Sequence, residues 1–291
     1  MYTGPCALLG EAALLLTIAQ ITDLHVTTEK DPLNQRRNEE RLRQVMQAIH
    51  NLRPRPVAII ASGDLVDRGE REEYVELKRL MAESEIPIYY AMGNHDSREG
   101  FLAEFSGPGA ETDENGFVQY ALVFGEMRMV VCDTLNGPND GDYDEARAAW
   151  LARTLDAAPD RPTAVILHHP PIPSGIRWMD PDPNSPWLGR LEQVLSGRKQ
   201  VKVLMCGHIH RAFNGVFAGH VVSAAPATSI QLTLDLTEVD MHVPDGREIL
   251  VEEPPGYALL MSEGASLTTH MCLAGDYAPA VTYNFPFRKL A

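Results

Sequence analysis

Five short polar clusters, each directly after an apolar run of strand length, constrain this chain more than any other feature. In order they are Asp23-x-His25, Gly63-Asp64-Leu65-Val66-Asp67, Gly93-Asn94-His95-Asp96, His168-His169-Pro170 and Gly207-His208-Ile209-His210. Ligands of α/β folds gather outside the carboxyl ends of strands. Five strands ending in this way would bring carboxylates, imidazoles and one carboxamide to a common edge. Carboxylates gathered there repel one another unless a cation sits among them. Imidazole with carboxylate, and no thiolate, suits Zn, Mn, Fe or Co rather than a structural cysteine-rich zinc site. His208 and His210 are two residues apart, as are Asp23 and His25, so in extended backbone each pair points to one side.

The segments between the clusters alternate in character. Residues 14–21 read as a buried strand before Asp23. Residues 36–52 read as a helix carrying Leu42, Val45, Met46, Ile49 and Leu52 at helical spacing. Pro54 and Pro56 end that helix. A second strand follows at 57–61, a second helix at 70–82 through Tyr74, Leu77 and Met81, and a third strand at 86–91. Residues 117–133 read as a hairpin turned near Gly125-Glu126, 143–158 as a helix, and 163–167 and 201–206 as further strands. The proline-rich segment 170–186 reads as a loop over the site, because loops of that length in compact domains are usually functional or disordered. Past Ala218 the helical periodicity vanishes, and 231–237 alternates as a half-exposed strand. The expected architecture is an α/β sandwich. Its catalytic part covers 1–218, and a β-rich part at 219–291 completes the sandwich or forms a cap or oligomer contact.

At 291 residues the chain can bury a large core. Its formal charge of -15 argues against duplex nucleic acid or an anionic membrane as partner, since both favour clustered Lys and Arg. Small anionic substrates stay compatible, because metal ions reverse the field inside a pocket. Cys6, Cys132, Cys206 and Cys272 are widely spaced, form no CxxC pair, and read as free thiols in a reducing compartment. Residues 1–20 lack a basic start and are interrupted by Glu11, which disfavours a signal peptide or a membrane span. The expectation is a cytoplasmic protein with a loose front extension of about a dozen residues.

In this order and at these separations, the five clusters resemble those of the calcineurin-like metallophosphoesterases. More narrowly, they resemble the bacterial class III cyclic-nucleotide and glycerophosphodiester phosphodiesterases. The match runs from Asp23 to His210. The resemblance implies the αββα sandwich of that family and two divalent ions (Mn, Fe, Zn or Co) bridged by Asp64. It assigns one ion to Asp23, His25, Asp64 and His210, and the other to Asp64, Asn94, His168 and His208. His95, beside Asn94, would face the substrate phosphate and help the leaving oxygen. Asp67 resembles the acid that orients this histidine in phosphoprotein phosphatases. His168 and His169 both precede Pro170; relatives with a His-x-Pro pattern use the first, which favours His168 as ligand and leaves His169 beside it toward the substrate.

The implied reaction is hydrolysis of small phosphodiesters, either 3′,5′-cyclic nucleotides such as cyclic AMP or glycerophosphodiesters. The attacking hydroxide would be shared by ions about 3.5–4 Å apart. Asp67 stands where purple acid phosphatases carry a metal-binding tyrosine, which disfavours that variant. Two other functions fit the same residues: a broad phosphomonoesterase, and a metal-binding scaffold without turnover. The remaining features have plainer readings. His50, His220, His242 and His270 read as surface or core residues, Asp96 as a cap for the helix after it, Arg68 as a solvated or ion-paired side chain, and Trp178 either as loop packing or as a ring that stacks on a nucleobase. No nucleic-acid polymer or membrane partner is expected, and a homo-oligomer is.

Overall fold

β1 (Leu16–Ile21), α1 (Pro32–His50), β2 (Ala58–Ser62), α2 (Arg71–Met81), β3 (Ile88–Ala91) and α3 (Arg98–Glu104) open the chain in strict alternation. β4 (Tyr120–Phe124) and β5 (Met127–Val131) form the expected hairpin. After it come α4 (Glu145–Asp156), β6 (Thr163–Ile166), α5 (Pro186–Leu195) and β7 (Val201–Cys206). The rest is β8 (Phe213–Phe217), β9 (His220–Ala224), β10 (Gln231–Leu232), β11 (Leu250–Val251), β12 (Gly256–Glu263) and β13 (Ser266–Leu273). This computed structural model describes residues 15–28, 32–137, 141–240 and 242–282, with the side chains of α1 from Arg37 onward. The front extension, Cys6 and the end of the C-terminal segment lie outside the described residues.

One sheet has the order β13-β12-β1-β2-β3, the other β4-β5-β6-β7-β9-β8, and β10 with β11 makes a separate ribbon. β1, β2 and β3 run parallel to one another, as do β5, β6, β7 and β9. Burial explains the layering. Met129 and Val131 of β5, Ile166 of β6 and Met205 of β7 share a core with β1 and β2. Their neighbours Val130, Val165 and Leu204 pack instead with Leu151 and Leu155 of α4 and Trp187 and Leu191 of α5. Successive strand residues point to opposite faces, so strands apolar on both faces lie between a second sheet and a helical layer. Leu42, Val45 and Ile49 of α1 and Tyr74 and Leu77 of α2 complete the first core. The result is the αββα sandwich. No helix among the described residues is long and apolar enough to cross a membrane.

Several details differ from the sequence reading. α3 is too short to show periodicity and has one buried apolar side chain, Phe101. α5 begins inside the proline-rich segment, with Pro186 in its first turn, where proline is well tolerated. The alternation at 231–237 does not make one strand. Only Gln231–Leu232 pairs, with Leu250–Val251; beyond it the Asp235 carboxylate accepts from Thr237 N and turns the chain, leaving Leu234 and Leu236 exposed. The C-terminal third supplies strands to both sheets: β9 lies between β7 and β8, and β12 lies beside β1.

Candidate metal centre

All five clusters leave their strands at the same kind of end. Asp23 stands two residues past β1, Asp64 two past β2, Asn94 three past β3, His168 two past β6 and His208 two past β7. Backbone bonds lock these tips together. His208 N donates to both Asp23 carboxylate oxygens at 3.0 and 3.1 Å, and His95 N donates to Asp64 Oδ1 at 2.9 Å. Donor atoms of Asp23, His25, Asp64 and His210 lie within 4.8 Å of one another, as do those of His168, His169 and His208. His208 Nδ1 is 2.9 Å from Asn94 Oδ1, which brings the carboxamide to the second group. The structure thus brings Asp23, His25, Asp64, Asn94, His168, His169, His208 and His210 together at one edge.

The backbone is strained where the chemistry is concentrated. Among the described residues six non-glycines have left-handed φ, and five of them are Asp23 (53°), His25 (45°), Asp64 (47°), His208 (71°) and His210 (51°). Such conformations cost on the order of 1–3 kcal/mol each and persist where the surroundings over-determine them. The close approach also needs small neighbours. A Cβ on Gly93 would lie 2.8 Å from His168 Nε2 and closer still to Asp64 Oδ1.

Hydrogen bonds to oxygens that can only accept fix the histidine tautomers. His25 Nδ1 donates to Asp67 Oδ1 (3.1 Å), His168 Nδ1 to Ser62 O (3.0 Å), and His210 Nδ1 to Ile230 O (2.7 Å). A neutral ring bonded in this way turns the Nε2 lone pair inward. His25 Nε2 and His210 Nε2 then face each other at 3.1 Å, with Asp64 Oδ2 3.7 Å from the first and Asp23 Oδ1 3.5 Å from the second. His168 Nε2 is buried without a hydrogen bond, 3.3 Å from Asp64 Oδ2. Such a gap is closed by a proton shared between the rings or by a metal ion, and a ring held through its other nitrogen is the usual arrangement of a metal ligand. The donor set fits divalent metal.

Electrostatics agree. Burial opposes ionisation of Asp64, but His168 and then His25 and His95 hold its carboxyl well below the usual range. Burial likewise opposes charge on His168, yet Asp64 and Asp23 push it up to about 9. Without a metal, this imidazole takes a proton in the metal's place. Burial and the neighbouring His168 push His208 down to about 4. Burial also lowers His210, leaving both rings in the neutral form that ligates.

One site residue, Asp67, is placed differently from the expectation. The Asp67 carboxylate bonds His25, not His95; His95 Nδ1 donates instead to the Asp67 backbone carbonyl at 2.7 Å. The cause is the short Asp64–Asp67 turn, which presents its main chain to His95. His168 and His169 do not diverge as strand neighbours do, because β6 ends at Ile166 and their rings lie 4.9 Å apart. His169 Nδ1 is 2.8 Å from Thr134 Oγ1. The proline-rich loop packs beside the site through Ile176, Trp178 and Met179, against Ile209 and Leu232.

Sequence reasoning also misread Asp96. Ser97, not Asp96, caps α3 by accepting from Gly100 N. The buried Asp96 carboxylate accepts from Gly93 N (2.8 Å), Leu65 N (3.1 Å) and the Tyr74 hydroxyl (3.2 Å). It thereby ties the Asp64 turn to the Asn94 turn. Burial, then the Asp64 charge, push its carboxyl up to about 7. Arg68 is ion-paired with Glu70 and Glu73.

The geometry and fold together define a metal-dependent hydrolase of phosphoric esters. A model of the calcineurin-like phosphoesterases matches residues 16–212, and the chain belongs to that family. It is 31% identical over 276 residues to a probable glycerophosphodiester phosphodiesterase of Arcobacter nitrofigilis, covering 92% of this chain and 97% of that one. It is 34% identical over 260 residues to a probable cyclic nucleotide phosphodiesterase of Rhodopseudomonas palustris, covering 87% and 90%. A dimetal phosphatase from Danio rerio shares the fold, with a TM-score of 0.63 at 13% identity over 89% of this chain and 99% of that one.

Proposed function

We propose that the chain is a dinuclear phosphodiesterase of small diesters. Asp23, His25, Asp64 and His210 would hold one divalent ion, and Asp64, Asn94, His168 and His208 the other. The observation that carries this reading is the opposed pair of His25 and His210 Nε2 atoms, whose tautomers are fixed from behind. Bound divalent ions supply Lewis acidity at phosphorus and an activated water. Asp64, buried and ionised, is the carboxylate placed between the two donor groups.

His95 does the remaining acid–base work. Its Nδ1 is committed to the Asp67 carbonyl, so Nε2 is the atom presented to substrate. In the protonated ring, Nε2–H donates to the leaving alkoxide as general acid. His169, whose Nε2 is buried without a partner, stands beside the second donor group toward the substrate. The reading includes a cytoplasmic homo-oligomer, supported by the buried free thiols Cys132 and Cys206 and by the exposed edge strand β13.

The test is a substrate panel on metal-loaded protein with elemental analysis: bis(p-nitrophenyl) phosphate, 3′,5′-cyclic AMP, a glycerophosphodiester and p-nitrophenyl phosphate. Metal-dependent turnover of diesters above the monoester supports the reading. A preference for the monoester supports a phosphomonoesterase instead. Bound metal without turnover of any substrate supports a scaffold.

A further inference from the structure

The buried face of α2 carries Tyr74, Leu77, Leu80 and Met81. Tyr74 is fully buried, and its ring stands edge-on to Phe101 of α3 with centroids 6.0 Å apart. Gly100 lets α3 close on that ring, since a Cβ there would lie 2.8 Å from a ring carbon. Packing alone would be served as well by phenylalanine. A buried tyrosine hydroxyl needs a partner, and this one has two, in the residues between Asn94 and α3. Ser97 N donates to the Tyr74 oxygen at 2.7 Å, which directs the hydroxyl proton to Asp96 Oδ1 at 3.2 Å. Burial and the Asp96 charge raise the Tyr74 pKa, so the hydroxyl keeps that proton.

The rest of the Asp96 carboxylate accepts from backbone amides of two turns. Leu65 N is shared between its oxygens at 3.1 and 3.2 Å, Val66 N reaches Oδ1 at 3.4 Å, and Gly93 N reaches Oδ2 at 2.8 Å. Leu65 directly follows Asp64, and Gly93 directly precedes Asn94. Tyr74 bonds Oδ1, the oxygen on the Asp64 side, and so fixes the rotation of the group that joins the two turns. Without the hydroxyl, Ser97 N and one carboxylate oxygen both lose a partner. Asp23, His25 and His210 are held by other bonds, from His208 N, to Asp67 and to Ile230 O respectively. Buried polar networks of this kind act as a unit and tune the ligands in front of them.

Resting on the dinuclear reading above, we propose that Tyr74 is a positioning residue of the metal centre, acting through Asp96 to set the Asn94 carboxamide against the Asp64 carboxylate. Its influence falls on the ion assigned to Asp64, Asn94, His168 and His208. The ion assigned to Asp23, His25, Asp64 and His210 is spared, because three of those ligands are fixed independently. Loss of a partner that holds a ligand from behind weakens metal binding roughly 10–100-fold. Tyr74 stands one hydrogen bond further back, which puts its effect at the lower end.

The test is Tyr74→Phe in the full chain, titrated with manganese by calorimetry. The dissociation constant of the second ion should rise about tenfold, with that of the first held within about twofold. Electron paramagnetic resonance adds a signature independent of turnover. With two manganese ions supplied per chain, the wild type should show an exchange-coupled pair. The variant should show more uncoupled ion, and excess manganese should restore the coupling. Leu77→Ala opens a cavity in the same helix at a side chain that carries no hydrogen-bonding group. It should lower Tm at least as far as Tyr74→Phe and leave the second ion's affinity unchanged. Asp96→Asn, which turns an amide N–H against backbone N–H groups, should raise the ratio of second to first dissociation constant, and it decides the question if Tyr74→Phe does not fold. Equal weakening of both ions, or the same selective loss in Leu77→Ala, would overturn the assignment. A wild type that binds a single ion would overturn the dinuclear reading and this inference with it. Two ions in the wild type, with unaltered affinities in the Tyr74 and Asp96 variants, would overturn this inference alone.

Discussion

His25 and His210 meet through Nε2 atoms 3.1 Å apart, while the Nδ1 atom of each is bound to an oxygen behind it. Neither ring can rotate to relieve the contact without abandoning its rear partner. In the metal-free protein a proton shared between the rings satisfies both, and a bound metal ion takes its place.

Replacing His210 by alanine removes one of these donors. Turnover of bis(p-nitrophenyl) phosphate should drop on the order of 100-fold or more, while the metal-free protein, having lost a buried ring and its bond to Ile230 O, melts modestly lower but still cooperatively. Steady-state rates at fixed metal, with melting curves of both forms, check this. An undiminished rate would remove His210 from the centre.

Asp67→Asn separates two roles for that residue. Its carboxylate supports His25, whereas its backbone carbonyl, which survives the substitution, orients His95. Metal affinity should weaken roughly 10–100-fold, and added metal should restore the rate. A rate that stays low at saturating metal would mean the carboxylate acts on His95 instead.

Gly93→Ala sets a methyl group against Asp64 and His168. Both are buried and held from behind, so neither can retreat cheaply. Overpacking of this kind costs typically 1–3 kcal/mol. Denaturant unfolding should report that loss, and diesterase activity should fall with it. Wild-type stability in this variant would show that the two tips are looser than described.

Metal removal should make stability depend on alkaline pH. The His168 pKa is raised to about 9 despite burial, because Asp64 and Asp23 outweigh it, and His25 is raised in the same direction. A histidine with a raised folded-state pKa contributes stability that is full below its unfolded pKa, near 6.5, and is lost as pH rises through about 9. Metal-free protein should therefore melt lower at pH 9.5 than at pH 7. Metal-loaded protein should not share this loss, since its ligands are already neutral. Parallel melting curves for the two forms would contradict this.

Much of the candidate centre was legible because its proposed ligands follow buried strands at short range, where apolar runs and polar tips are local signals. Asp23, Asp64, Asn94, His168 and His208 are of this kind. What escaped was set by contacts distant in sequence. The Asp96 carboxylate looks like a helix cap until the Leu65 and Gly93 amides are seen to converge on it. The partner of Asp67 depends on which part of a tight turn faces His25 and which faces His95. Leu232, Leu234 and Leu236 alternate as a strand should, yet the chain turns after Leu232 and leaves the latter two exposed. Left-handed backbone at Asp23, His25, Asp64, His208 and His210 has no sequence signature, since none of these is glycine.

Anomalous scattering from manganese-soaked crystals tests the central claim most directly. Two peaks are predicted, one among Asp23, His25, Asp64 and His210 and one among Asp64, Asn94, His168 and His208, with an Asp64 oxygen between them. A map with no peak at these strand tips, or with metal bound only elsewhere on the surface, would contradict the account.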